Sequence, residues 1–263
     1  MLLEAFIVIG FIALSLAGLM VVRRRVPLER LQEQHDVASA CFAVLGSLYG
    51  IVLAFVLVSS WERFEAARQD VQREVDALSD VYRHAQALPE PTRTDLERLI
   101  VEYAHSVIDS EWASMAEGER SPETQRIFGA MWTTLLATPA SDQVSVFQNT
   151  LSRMDDFSDA RRGRLRYLRG GMPGVVWFFL VAAGVITVAF SYFFGLRSLI
   201  PHMLMTAALA GTMAFTLLLI AELQRPFGGN VSLEPIDFRT GLSLLDASTS
   251  ASMPPRPGQG HGP

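Results

Sequence analysis

The chain has 263 residues, half of them hydrophobic, with 22 basic and 27 acidic side chains and a formal net charge of −5. That balance supplies no basic field for nucleic acid, and the single cysteine, Cys41, excludes an intrachain disulfide and a thiolate zinc site. A positive mean hydropathy in a chain that is nearly one fifth charged implies apolar blocks separated by strongly polar ones.

In chain order, four windows lack Asp, Glu, Lys and Arg: Ala5 to Val22, Val37 to Ser60, Val175 to Phe194 and Leu199 to Ala221. Each is long enough to cross a hydrocarbon core of roughly 30 Å as a helix. One central Arg costs roughly 3 kcal/mol on insertion scales, so four charge-free windows in a chain with 22 arginines identify membrane spans. The first reads as an uncleaved anchor rather than a signal peptide, because Glu4 precedes it and Arg23, Arg24 and Arg25 follow.

Between the second and third spans lies a polar helical insert. Trp61, Phe64, Val71, Val75, Leu78, Tyr82 and Ala85 recur at three- and four-residue steps, interrupted by Arg68, so the second span is expected to continue as one helical seam and to transmit motion between span and insert. Pro89 and Pro91 end it. Thr92 is the expected N-cap of a second helix lined by Leu96, Leu99, Tyr103, Val107 and Trp112 and running toward Met115. Ser121 before Pro122 opens a third, with Ile127, Met131 and Leu135 inward. A fourth is expected from near Ser141 through Val144, Phe147, Leu151 and Met154 into the basic run Arg161, Arg162, Arg164, Arg166 and Arg169, before Gly170, Gly171 and Pro173 break the chain.

The expected fold is therefore all-α: a four-helix polytopic membrane protein with a soluble helical insert between the second and third transmembrane helices. Its divisions are residues 1–60 for the first two spans, 61–171 for the insert, 172–222 for the last two spans and 223–263 for a tail. The Pro- and Gly-rich end, from about Thr249, is expected to be disordered.

No catalytic pattern emerges. His84 and His105 lack the spacing of a metal-binding helix, pairs such as Asp155–Asp156 and Glu117–Glu119 read as solvated helix faces, and no phosphate loop or nucleophile elbow occurs. The chain is expected not to be an enzyme, with no catalytic residues, no cofactor and no metal site. The spans carry no central ionisable side chain, which argues against a coupled carrier. Gly46, Gly50 and Ala54 recur every four residues and are expected to permit close helix packing, with a weaker repeat at Ala207, Gly211 and Phe215.

These features resemble the bestrophin-like bacterial membrane family. The supporting residues are the run Leu48 to Phe64, including Trp61, Glu62 and Arg63, then Glu111–Trp112, the RRGRLRYL run from Arg161 to Leu168, and Arg225, Pro226, Phe227, Gly228 and Gly229. More distantly, the layout is similar to that of bestrophin anion channels. The resemblance implies a homo-oligomer, pentameric in bestrophins, whose second helices surround an ion pathway, and places Ala43, Ser47 and Ile51 at the pore-lining positions. Bestrophins carry bulky apolar side chains there. Two of these three are small, leaving open a wider path, a gate elsewhere, or no path. After Gly228 the chain continues Gly229, Asn230, Val231, Ser232, with only Glu234 and Asp237 nearby, so no bestrophin-type calcium clasp is expected.

The partners implied are the lipid bilayer, further copies of the chain and ions, with no nucleic acid. The location is a bacterial inner membrane. Arg23, Arg24, Arg25, Arg30 and Arg197 would place the insert outside by the positive-inside rule, whereas the run Arg161 to Arg169 and the resemblance place it in the cytoplasm, the assignment adopted here. An oligomeric channel for anions is the leading expectation. A non-conducting scaffold or sensor acting through the insert is the alternative.

Overall fold

The computed structural model describes residues 2–33, 35–138, 144–168, 171–194 and 196–252, which contain helices and no strand. Ser141, Arg169, Gly170 and the tail beyond Ser252 lie outside the described residues. The chain divides into two compact units: Met1–Glu65 with Gly170–Ser232, and Ala66–Arg169 with Leu233–Pro263.

The helices are α1 (Leu2–Arg25), α2 (Leu28–Glu33), α3 (His35–Ala85), α4 (Thr92–Ser106), α5 (Trp112–Ala116), α6 (Pro122–Leu136), α7 (Val144–Leu165), α8 (Gly174–Ser191), α9 (Leu199–Leu223) and α10 (Ile236–Ser252). A π-helical turn, Val107–Glu111, joins α4 to α5, and a 3₁₀ turn, Arg166–Leu168, follows α7. Among the described residues four helices are long and apolar enough to cross a membrane: α1, α3, α8 and α9.

The first unit packs α1 against α9 and α8, with a core of Tyr49, Leu53, Leu180, Val188, Ala210, Met213 and Ile220. Small residues set the approach distances, as expected where lipid removes the hydrophobic drive between helices and leaves close contact to hold them. The Tyr49 hydroxyl donates to the Leu180 carbonyl at 3.2 Å, and a Cβ on Gly184, one turn further, would meet that hydroxyl at 2.8 Å. Gly18 admits the Tyr192 ring, and Gly211 of the expected small-residue repeat faces Ile12, whereas Phe215 is 65% exposed. Gln224 donates to the Ser60 hydroxyl at 2.8 Å and accepts from the Met172 amide at 3.2 Å.

The second unit begins within α3, which runs without a break from the apolar phase to Ala85. Val71, Leu78, Tyr82 and Ala85 are buried, as the seam predicted. Arg68 is exposed, however, and Ala67, Asp70 and Glu74 take the inward positions around it. The expected cap at Thr92 is also corrected. Pro91 already has helical dihedrals, so Thr92 is the first helical residue, and the Glu90 carboxylate accepts from the Thr94 hydroxyl at 2.8 Å in place of a Thr cap. The N-terminus of α6 follows expectation: the Ser121 hydroxyl accepts from the Thr124 amide, Pro122 occupies the first turn, and Ile127, Met131 and Leu135 are fully buried. On α7, Val144 is exposed, and the inward face starts further along at Thr150, Met154 and Phe157. Residues 236–252, part of the stretch expected as a tail, form α10, which lies against α4.

Candidate functional site

Two places in the chain carry chemistry. The first is the outer stripe of α3. Ala43, Ser47 and Ile51 are exposed, on the side of the helix away from Tyr49 and Leu53, and Val58 extends the stripe. Gly50 and Ala54 are exposed beside them and Gly46 is half-buried. A Cβ at Gly46 or Gly50 would meet nothing within 4 Å, so these glycines make no close approach within the described residues. Trp61 lies exposed and stacks on Phe64 at 6.3 Å, Glu62 is exposed and Arg63 half-buried.

The second is a cluster of buried charges within the helical unit, where two of the other motif regions, Glu111–Trp112 and Arg161–Leu168, meet. Glu74 comes from α3, Tyr103 from α4, Glu111 from the π-turn, and Arg161 and Arg164 from α7. All five are buried. Arg161 grips Glu111 with two parallel bonds of 2.9 Å and donates to the Tyr103 hydroxyl at 2.8 Å. Arg164 donates from Nε to Glu74 at 2.5 Å and from Nη2 to both Glu74, at 3.0 Å, and Glu111, at 2.5 Å. Tyr103 in turn donates to Glu74 at 2.5 Å. Aromatic faces enclose the guanidiniums: Arg161 lies 5.2 Å from the Phe128 ring, and Arg164 lies 5.9 Å from Trp112 and 5.7 Å from Phe238 of α10. Two cations balance two anions, and each buried charge is both paired and hydrogen-bonded, the condition under which a low-dielectric interior tolerates them.

The π-turn helps place Glu111. An α-helix advances roughly 100° per residue, and the one extra residue of a π-turn shifts everything after it back by that angle, turning Glu111 onto the face that carries Tyr103. The Trp112 amide bonds back to the Val107 carbonyl, and its indole donates to the Leu233 carbonyl at 2.9 Å.

One turn before Glu74, the buried Asp70 of α3 receives Arg166 at 2.7 Å and the Tyr167 hydroxyl at 3.0 Å, and is also paired with Arg73. Gly163 opposes it: an added Cβ would lie 3.1 Å from the Asp70 carboxyl carbon. The RRGRLRYL run thus reads as a docking strip. Arg164 meets Glu74, Arg166 and Tyr167 meet Asp70, and glycine lets the α7 backbone come close. Arg161 and Arg164, two members of the basic run that closes the fourth helix of the insert, lie in the interior.

The surroundings tune the titrating groups. Burial opposes the charge on Glu111, but Arg164 and Arg161 overcome it and hold the carboxyl below its usual range. Burial likewise opposes the Arg164 charge, and Glu74 and Glu111 more than offset it, raising that guanidinium well above its ordinary value. Burial and the Glu74 charge push the Tyr103 phenol well upward. These surroundings favour an anionic Glu111, cationic Arg161 and Arg164 and a neutral Tyr103 phenol.

After α9, Pro226 and Phe227 are buried and Gly228 half-buried. Gly229 adopts φ +92°, a conformation that favours glycine, and the chain folds back so that the Glu222 carboxylate accepts from the Asn230 amide at 2.7 Å. Among the described residues no group of three or more His, Cys, Asp or Glu side chains is arranged to hold a metal ion.

Four membrane-length helices with a helical unit inserted between the second and third define a polytopic α-helical membrane protein. A family model described as a Bestrophin-like domain matches residues 9–238. The chain belongs to the bestrophin-like family, whose members are channel-like membrane proteins. The fold is similar to two point variants of a bacterial bestrophin homologue from Klebsiella pneumoniae. One gives a TM-score of 0.71 at 17% identity, covering 92% of this chain and 99% of that one, and the other 0.69 at 17% identity, covering 92% and 98%. A further structure, described as a membrane protein, gives 0.68 at 15% identity, covering 95% of this chain and 99% of that one. No curated protein matches the chain.

Proposed function

We propose that this protein is a homo-oligomeric ion channel, pentameric and anion-conducting, in which α3 of each copy faces a central axis through Ala43, Ser47 and Ile51. The observation that carries the reading is the outer stripe of α3, which nothing else in the chain covers among the described residues although the opposite face is packed. Gly46, Gly50 and Ala54, open in the single chain, border that stripe and suit close packing against the next copy. With side chains as small as Ala and Ser facing the axis, the narrowest point falls at Ile51 or beyond. The insert is a soluble cytoplasmic unit of a protein of the bacterial inner membrane, and Arg162 and Arg166, which precede α8 in the sequence, are exposed, in keeping with the positive-inside rule. No enzymatic role is assigned.

Planar-bilayer recording of the purified protein tests this. Wild type is expected to conduct above empty bilayers, and Ser47→Trp to reduce the current severalfold while leaving the oligomer intact. Absence of wild-type conductance across voltage, pH and calcium would overturn the reading. The competing reading is a non-conducting scaffold or sensor, favoured by the self-contained core that the buried charges give the helical unit. An oligomeric structure in lipid with no axial opening would select it.

A further inference from the structure

Where α1 ends and α9 begins, a cavity of about 390 Å³ combines three arginines with aliphatic walls. Arg23 and Arg24 come from the last turn of α1, Arg197 from the segment just before α9, and Met20, Leu28 and Leu199 form the apolar side. Among the described residues no carboxylate lines it, and the exposed Glu29 of α2 stands outside it. Arg23 is oriented by donating to the Leu196 carbonyl, while Arg24 and Arg197 are exposed. Met20 and Leu199 are each about two-fifths exposed. A second cavity, of about 490 Å³ and lined by apolar side chains and Cys41, adjoins it through the shared residue Leu31 and runs past Val37, Ala38 and Phe193.

We propose that the two cavities together bind one anionic glycerophospholipid. The arginines take the phosphodiester, whose charge no cationic headgroup amine cancels, and the apolar slot beyond Leu31 takes an acyl chain. Guanidiniums bond phosphate oxygens in pairs, and these stand at the end of a charge-free span, the level at which headgroups lie. A soluble phosphate would use the arginines but leave the aliphatic wall in water, whereas a phospholipid satisfies both. The assignment is independent of whether the oligomer conducts.

The test uses purified full-length protein in detergent, titrated separately with dioleoyl-phosphatidylglycerol, dioleoyl-phosphatidylcholine and inorganic phosphate, with saturable binding read by native mass spectrometry. Phosphatidylglycerol is expected to bind roughly tenfold more tightly than phosphatidylcholine, and each Arg→Gln change at Arg23, Arg24 or Arg197 to weaken it roughly fivefold. Arg→Lys changes should retain most of the affinity, and R93Q and R98Q, exposed in the other unit, should leave it unchanged. Met20→Trp, which fills the cavity without removing charge, should also weaken lipid binding and covers the case in which an arginine variant fails to fold. Equal affinity for the two lipids, or wild-type binding by the arginine and Met20 variants, would overturn the proposal. Full displacement of phosphatidylglycerol by millimolar inorganic phosphate would do so as well, marking a plain phosphate site.

Discussion

The two units of this chain solve the same packing problem with opposite materials. The membrane unit holds its helices by close contact at small residues, Gly18, Gly184 and Gly211, and by a few hydroxyl and amide bonds such as Tyr49 to Leu180 and Gln224 to Ser60. The helical unit places two arginines and two glutamates at its centre and wraps them in aromatic rings. In lipid, apolar side chains gain little by leaving their surroundings, so contact geometry decides stability. In water the apolar layers supply the drive, and the charge cluster selects one arrangement of α3, α4, the π-turn and α7, because any other leaves a buried charge unpaired.

That contrast predicts a ranking of damage. Arg164→Met in the helical unit strands the buried Glu74, leaving Glu111 to Arg161, and should cost about 3–5 kcal/mol, read as a lowered denaturation midpoint of the full-length protein. Adding Glu74→Gln should recover part of the loss. If Arg164→Met proves neutral, the cluster is not what specifies this unit. Gly184→Val in the membrane unit should cost about 1–3 kcal/mol by driving a methyl into the Tyr49 hydroxyl, with the helical unit's own melting unaffected.

The smallest effect concerns pH. Because Glu111 titrates below its unfolded range, its contribution is complete above the ordinary carboxylate value of about 4.3 and declines as pH falls through its lower folded value. Wild type should therefore lose stability in acid more steeply than Glu111→Gln, by at most about 1.4 kcal/mol per pH unit for one proton. Identical slopes for the two proteins would mean that folding does not lower the pKa of Glu111.

The spans and most helix boundaries were legible because they depend on local rules: a charge-free window, a proline pair, a serine before proline. The charge cluster was not, because its members lie on four separate elements and each has exposed neighbours of like charge. Arg162 beside Arg161, and Asp109 beside Glu111, make the chain look uniformly solvated there. A signal was nevertheless present. Met154, Phe157, Arg161 and Arg164 continue one helical face, as do Val71, Glu74 and Leu78, so the charges fall in register with buried apolar residues. The π-turn hid the corresponding register for Glu111. The outer stripe of α3 was legible only by resemblance, since a helix facing lipid and a helix facing a pore leave similar marks in sequence.

The π-turn makes its segment sensitive to residue count more than to residue identity. Asp109 points outward and can be exchanged freely, but removing any one of the five residues Val107–Glu111 would restore ordinary helical bonding. Trp112 and Met115 would then swing roughly 100° about the axis, away from Arg164. In this stretch the exposed position Asp109 should tolerate a broad alphabet, while buried Val107 and Glu111 stay fixed and no single-codon deletion is accepted.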